Sequence, residues 1–221
     1  MSVTYLDIFT KLHNYYGDQE WWPAETTLEM MVGAILVQNT AWTNVEKALK
    51  LLMPYLDAAL LRNMPTEQLE QLIRPSGFFR LKTKRLQAFL EWYFTYNFDH
   101  KQLNQHGTAT LREELLTIYG IGPETADSIL LYACNRPVFV VDAYLRRLMT
   151  RIGFDLPSSY EAIRQQFEQV LPLDVQLFNE FHALIVTHAK THCKKKPICE
   201  GCPLVDSCQR RFIKENNHYE D

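Results

Sequence analysis

Apolar residues recur at helical spacing along most of the chain, and period-two alternation is almost absent. Val3 to Tyr16 carries Leu6, Ile8, Phe9, Leu12 and Tyr16 at such spacings, which predicts a helix ended by Gly17-Asp18. Trp21-Trp22-Pro23 reads as a rigid aromatic loop, after which Thr26 or Thr27 offers an N-cap. Leu28 to Val37 is apolar nearly all round and predicts a buried helix. Gln38-Asn39-Thr40 stops it, and Trp42-Thr43 opens another helix that runs to Leu52. Pro54, Pro65 and Pro75 punctuate short segments, Ser76-Gly77-Phe78-Phe79 is a turn, and Leu81 to Tyr96 predicts a long amphipathic helix. Further helices are expected around Tyr160 to Val170 and Val175 to Ala189. The pattern is that of an all-α chain without internal repeats.

The segment between these helices organises the reading. Leu111, Leu115 and Leu116 end one apolar-periodic helix, and Gly120-Ile121-Gly122 follows as a turn with two residues that tolerate positive φ. Pro123 suits a first helical position, and Ala126, Ile129, Leu130 and Ala133 share one face of the next helix. Two helices joined by a Gly-x-Gly turn leave backbone amides at a helix N-terminus, where they can hold a phosphate. About twenty residues on, the apolar run Val138 to Val141 delivers one carboxylate, Asp142, at the start of a helix over Ala143 to Arg151. Taken alone, Asp142 is also a good N-cap.

Composition changes this picture little. Hydrophobic residues make up 47%, which excludes a disordered chain, and 221 residues suffice for one large domain or two small ones. No apolar run reaches membrane-spanning length, and Met1 to Tyr16 has Asp7 and Lys11 inside it, unlike a signal peptide, so a cytoplasmic protein is expected. The net charge of −3 runs against the basic balance of most nucleic-acid binders. Basic residues nevertheless cluster at Arg80, Lys82, Lys84 and Arg85, at Arg146, Arg147 and Arg151, and at Lys190, Lys194, Lys195 and Lys196. Beside these motifs the clusters are expected to form a local phosphate-binding surface.

Four of the five cysteines, Cys193, Cys199, Cys202 and Cys208, follow the spacing C-x5-C-x2-C-x5-C. Zinc sites usually separate two close pairs by a longer finger, whereas thiolates gathered in one short loop suit a four-iron, four-sulfur cube; zinc is the alternative. Cys134 lies apart on an apolar helix face and reads as core.

The hairpin Gly120-Ile121-Gly122, the loop Arg136-Pro137 and Val141-Asp142 together resemble the helix-hairpin-helix and aspartate of the endonuclease III superfamily of DNA glycosylases. The cysteine box resembles that family's C-terminal cluster loop, with five residues in the first gap where the family usually has six. The resemblance implies that Asp142 is catalytic. It would stabilise the cationic sugar formed as the base leaves and orient the attacking water. It also implies that Gly120, Ile121, Gly122, Thr125, Lys194, Lys195 and Lys196 meet DNA. Bifunctional members place a lysine at the start of the helix after the hairpin, where its amine forms a Schiff base. This sequence has Glu124 there, so strand cleavage through an imine is not expected.

Trp21-Trp22-Pro23, the run Ala34 to Thr40, Arg74 to Phe78 and Gly120 to Asp127 also look like the 3-methyladenine DNA glycosylases of the endonuclease III type. That resemblance implies an aromatic base pocket of Trp21, Trp22, Pro23 and Trp42, with Glu124 and, by approximate position, Lys190. A cationic alkylated purine is already a good leaving group and calls for stacking and cation–π attraction. Gln38 matches the residue that fills the gap left by an extruded nucleotide, with Asn39 beside it; either can equally be a helix C-terminal cap.

The expectation is thus two helical domains with an active site in the cleft between them. Residues 22–134 would form a helical barrel with the hairpin, and residues 1–21 with 135–221 the cluster domain. The expected activity is monofunctional base release in base-excision repair, on double-stranded DNA holding a damaged base such as 3-methyladenine, by a monomer away from membranes. Alternatives are endonuclease III-like removal of oxidised pyrimidines with lyase action, an adenine or mismatch glycosylase, and a non-catalytic iron–sulfur DNA-binding protein.

Overall fold

The structure, a computed structural model, describes residues 3–19, 21, 22 and 24–211. Among them are twelve α-helices and no strand, so the all-α expectation holds. None of these helices is long and apolar enough to cross a membrane. The chain divides into two compact units, one of Met1–Pro23 with Pro137–Asp221 and one of Ala24–Arg136.

The second unit is built around α2 (Thr27–Leu36), whose Met30 to Leu36 are all buried. Thr26 caps it, its side chain accepting from the Glu29 N–H. A helix apolar on every side is stable only when it is covered on every side. Here α3 (Trp42–Leu52), α6 (Phe79–Phe94) and the turn after α9 (Pro123–Ser128) supply that cover. Two shorter helices, α4 (Ala58–Asn63) and α5 (Thr66–Ile73), pack on α6. Each fully buried aliphatic or aromatic side chain in this core contributes roughly 1.5–3 kcal/mol. The long helix starts at Phe79, two residues before the expected Leu81, because Gly77 (φ +69°) and Phe78 (φ +44°) turn the chain immediately ahead of it.

After α7 (His100–Leu103), α8 (Thr108–Thr117) and α9 form the hairpin, and α9 runs on into a wider π turn over Ile129–Ala133. Arg112 on α8 forks onto Asp127 on α9 (Nε–Oδ1 2.6 Å, Nη2–Oδ2 3.1 Å), and the Asp127 side chain is fully buried. A buried carboxylate is tolerable because this bidentate partner satisfies both oxygens.

In the first unit α12 (Val175–Thr191) packs on α1 (Tyr5–Tyr16) and on α10 (Ala143–Ile152), with α11 (Tyr160–Val170) contributing Phe167. The core is aromatic: Tyr5 stacks on Phe167 at 4.0 Å, Phe167 on Phe139 at 4.5 Å, and Phe178 meets Phe139 edge-on at 5.1 Å. The first helix begins at Tyr5 rather than Val3, because Thr4 and Asp7 form a reciprocal capping box.

Candidate catalytic, DNA-contacting and metal sites

Val138, Phe139, Val140 and Val141 are all buried, and side chains of α11 hold their backbone. Glu168 accepts the Phe139 N–H at 2.9 Å, and the Tyr160 hydroxyl accepts the Val141 N–H at 3.3 Å. This fixed strand-like run presents Asp142 as the N-cap of α10, with Oδ1 accepting the Leu145 N–H at 2.7 Å. Its Oδ2 lies 3.5 Å from Nε2 of His182 on α12. At 8% exposure Asp142 is nearly buried, yet its carboxylate meets both a helix N-terminus and an imidazole. Capping and catalysis, weighed as rival roles of Asp142 in the sequence, are geometrically compatible.

Also in the first unit, the rings of Trp21 and Trp22 meet edge-on at 6.1 Å, and Lys190 Nζ stands 5.7 Å from the Trp21 ring centroid. The Trp21 indole N–H is buried with no acceptor among the described residues. Pro23, expected in the same pocket, lies outside the described residues. In the second unit Trp42 opens α3, and Glu124, exposed, stands in the first turn of α9.

The hairpin residues converge with the end of α2. Gln38 donates through Nε2 to the Gly120 carbonyl at 3.1 Å and to Thr125 Oγ1 at 2.8 Å, while its Oε1 accepts from Arg85 on α6. Gln38 is therefore neither a dangling side chain nor a cap of its own helix; it ties α2 to the hairpin. Asn39 beside it is exposed at φ +53°. Gly120 needs to be glycine: its φ is +76° and a Cβ would collide with the Arg85 side chain. Gly122 does not: its φ is −91° and nothing lies within 4 Å of a Cβ built there. The Gly122 and Thr125 N–H groups donate to no protein acceptor among the described residues, whereas the Ile121 N–H donates to the Ile118 carbonyl at 3.0 Å and the Ile121 side chain is buried.

Two of the expected basic surfaces are corrected. Lys82 is fully buried, so it meets no phosphate. Its ammonium donates to the carbonyls of Leu36 (2.7 Å) and Ser76 (2.6 Å), tying the end of α2 to the turn before Phe78. Burial pushes its pKa down to about 8, with the Arg85 charge adding to the effect. Phe78, by contrast, projects from that turn with 63% of its surface exposed. On α10, Arg147 and Arg151 face inward onto the cysteine loop. Arg147 Nε donates to the Cys193 carbonyl at 2.9 Å, and Arg151 donates to the Lys194 and Lys195 carbonyls (2.5 and 2.9 Å) and to Cys193 Sγ (3.4 Å). Their i,i+4 spacing was the available signal for a shared face. The lysines Lys194, Lys195 and Lys196 themselves point outward and are exposed.

Cys193, Cys199, Cys202 and Cys208 line one pocket, walled by Leu148, Ile152, Ile198 and Leu204. Burial pushes the Cys202 and Cys208 thiols up, and the neighbouring cysteines push in the same direction. A bound soft cation reverses that balance, since it requires thiolates. Four sulfur donors in an apolar pocket fit zinc or an iron–sulfur group. A zinc tetrahedron with 2.3 Å bonds needs sulfurs about 3.8 Å apart. Among the described residues the ligand trio within 4.8 Å of one another is His13, Asp18 and Glu180, and the cysteines form no such tight group. Cys134 is buried elsewhere, its thiol pushed up to about 12 by burial, in keeping with a core role.

Fold, hairpin and aspartate define a helix-hairpin-helix DNA glycosylase, and residues 32–173 match the HhH-GPD superfamily of base excision DNA repair proteins. The chain belongs to that superfamily, as a DNA glycosylase of base-excision repair. It is 45% identical over 206 residues to a protein of Methanocaldococcus jannaschii assigned provisionally as a DNA repair glycosylase, covering 91% of this chain and 94% of the relative. Among solved structures, the Helicobacter pylori 3-methyladenine DNA glycosylase bound to 1,N6-ethenoadenine superposes with TM-score 0.74 at 27% identity, over 85% of this chain and 98% of that one. A non-covalent endonuclease III–DNA complex gives TM-score 0.79 at 23% identity, over 94% and 96%, a likeness of fold.

Proposed function

We propose that this chain binds double-stranded DNA, extrudes a damaged base, and hydrolyses its N-glycosidic bond without cutting the strand, acting on alkylated purines such as 3-methyladenine. The observation that carries this reading is Asp142, a carboxylate fixed through Oδ1 on the head of α10 and through Oδ2 beside His182. A carboxylate held that firmly can stabilise an oxocarbenium-like sugar without reorganising. Trp21, Trp22, Pro23 and Trp42 would stack on the base, with Lys190 and Glu124 at the pocket. Trp21 adds a buried indole N–H that a base acceptor can satisfy. The likeness to a 3-methyladenine DNA glycosylase bound to 1,N6-ethenoadenine supports that substrate class.

The duplex would lie on the Gly120–Thr125 hairpin amides, on Gln38 and Asn39, and on Lys194, Lys195 and Lys196. Phe78, exposed at the turn held by Lys82, has the character of an apolar wedge between base steps. Cys193, Cys199, Cys202 and Cys208 would hold a four-iron, four-sulfur cluster, which when bound supplies a rigid cross-link for the lysine-bearing loop and a redox-active centre. Support comes from the apolar pocket that the four cysteines share. Incubation of the pure protein with a panel of lesion-bearing duplexes, followed by hot alkali, tests the reading. Abasic sites on alkylated-purine duplexes are expected. Release confined to oxidised pyrimidines would favour the endonuclease III-like alternative.

A further inference from the structure

We infer that His188 donates a hydrogen bond from Nε2 to the metal-bound sulfur of Cys202, is held in that orientation by Tyr16, and thereby raises the reduction potential of the cluster. This rests on the reading above that the four cysteines hold an iron–sulfur group.

His188 is 1% exposed on α12 and makes one contact through each ring nitrogen. Nδ1 lies 3.0 Å from the Tyr16 hydroxyl, and Nε2 lies 3.7 Å from Cys202 Sγ. Tyr16 in turn lies 2.8 Å from Thr191 Oγ1. A metal-bound thiolate is an acceptor only, so a nitrogen facing it must carry the hydrogen. The opposite arrangement would set the Nε2 lone pair against sulfur lone pairs in a buried, low-dielectric place, which is costly. With the hydrogen on Nε2, the Tyr16 O–H is offered to Nδ1 and to Thr191 Oγ1, whose own hydrogen goes to the Thr187 carbonyl at 2.9 Å.

An N–H bond to sulfur withdraws electron density from it and stabilises the more negative, reduced cluster. His188 is one of four such donors: the Leu204 N–H also bonds the Cys202 sulfur, Arg151 Nη1 lies 3.4 Å from Cys193 Sγ, and the Arg210 N–H lies 3.4 Å from Cys208 Sγ. Among the described residues the Cys199 sulfur receives none, so Cys202 is the sulfur that has a buried side-chain donor with its own support. A hydrogen bond of this kind orients the ligating sulfur as well as tuning the metal.

The test uses full-length holoprotein with His188→Phe, His188→Gln and Tyr16→Phe. Iron and acid-labile sulfide are measured first, then the reduction potential of the cluster by spectroelectrochemical titration. His188→Phe should lower the reduced-to-oxidised ratio at fixed potential by about tenfold, 59 mV for a one-electron couple. His188→Gln, which keeps an N–H, should stay nearer the parent, and Tyr16→Phe should shift less than His188→Phe but in the same direction. Iron-loaded His188→Phe with the parent potential would overturn the inference while leaving the cluster intact. Should His188→Phe fail to load, an unshifted Tyr16→Phe overturns it instead. A parent protein with zinc and no iron would sink the cluster reading, and this inference with it.

Discussion

Asp142 and His182 face each other at 3.5 Å between Oδ2 and Nε2, while the other oxygen of Asp142 closes the first turn of α10. The same carboxylate is thus a structural cap and the proposed catalytic group, and substitutions should separate the two roles. Asp142→Asn keeps a capping oxygen, so the melting temperature should barely move while base release is abolished and DNA affinity is retained. Asp142→Ala should lose activity and, in addition, about 1 kcal/mol of stability. Single-turnover base release with thermal melts of both variants checks this. Undiminished release by Asp142→Asn removes the catalytic assignment.

The absence of an amine at position 124 should be visible chemically. Lyase action needs a neutral amine at the sugar C1′. Borohydride should therefore trap no covalent adduct with lesion DNA, while alkali reveals abasic sites. Efficient trapping would point to Lys190, which already stands over the Trp21 ring.

The two hairpin glycines should respond differently. Gly120→Ala meets a positive φ and the Arg85 side chain and should cost about 1–2 kcal/mol of stability. Gly122→Val meets open space and an ordinary φ, so stability should stay within about 0.5 kcal/mol. If backbone amides there approach phosphate, Gly122→Val weakens binding to every duplex, damaged or not. Equal affinities for Gly122→Val and parent would take the hairpin off the DNA.

Salt dependence should locate the cationic contacts. Neutralising Lys194, Lys195 and Lys196 together is expected to flatten the log–log salt slope by up to about three phosphate contacts. Lys82→Met should leave the slope unchanged, since that ammonium is buried on two carbonyls. Titrations at several salt concentrations read both.

Lys82 also carries a pH signature. Its folded pKa, about 8, lies below the ordinary 10.5, so between those values the unfolded chain binds more protons. Stability conferred by this site therefore rises as pH increases from about 8 toward 10.5, and is constant below that window. The parent minus Lys82→Met difference in denaturation midpoint should grow across this range; a flat difference would show that the two carbonyls keep the ammonium fully charged.

The helices and the hairpin were legible because apolar spacing and Gly-x-Gly are local signals, and the cysteine box because its spacings are short. What escaped was decided by partners far along the chain. Lys82 reads as one of four neighbouring cations until the carbonyl of Leu36, forty-six residues away, claims it. Arg147 and Arg151 look like a phosphate patch until the Cys193 loop, more than forty residues on, is folded against α10. His182 and His188 sit within an apolar helix pattern, and nothing local marks one as the neighbour of a carboxylate and the other of a sulfur. Helix starts moved by two residues where caps and positive-φ turns, rather than apolar period, set the boundary.

The buried fork between Arg112 and Asp127 limits how the hairpin can change over time. Losing either partner alone strands a desolvated charge, at a cost of about 3–5 kcal/mol, a large part of the stability of an ordinary domain. Replacing both together with apolar residues of similar volume is close to neutral. Descendants of this chain can therefore keep the pair or exchange it wholesale, and single-step lineages that pass through half of it should be rare.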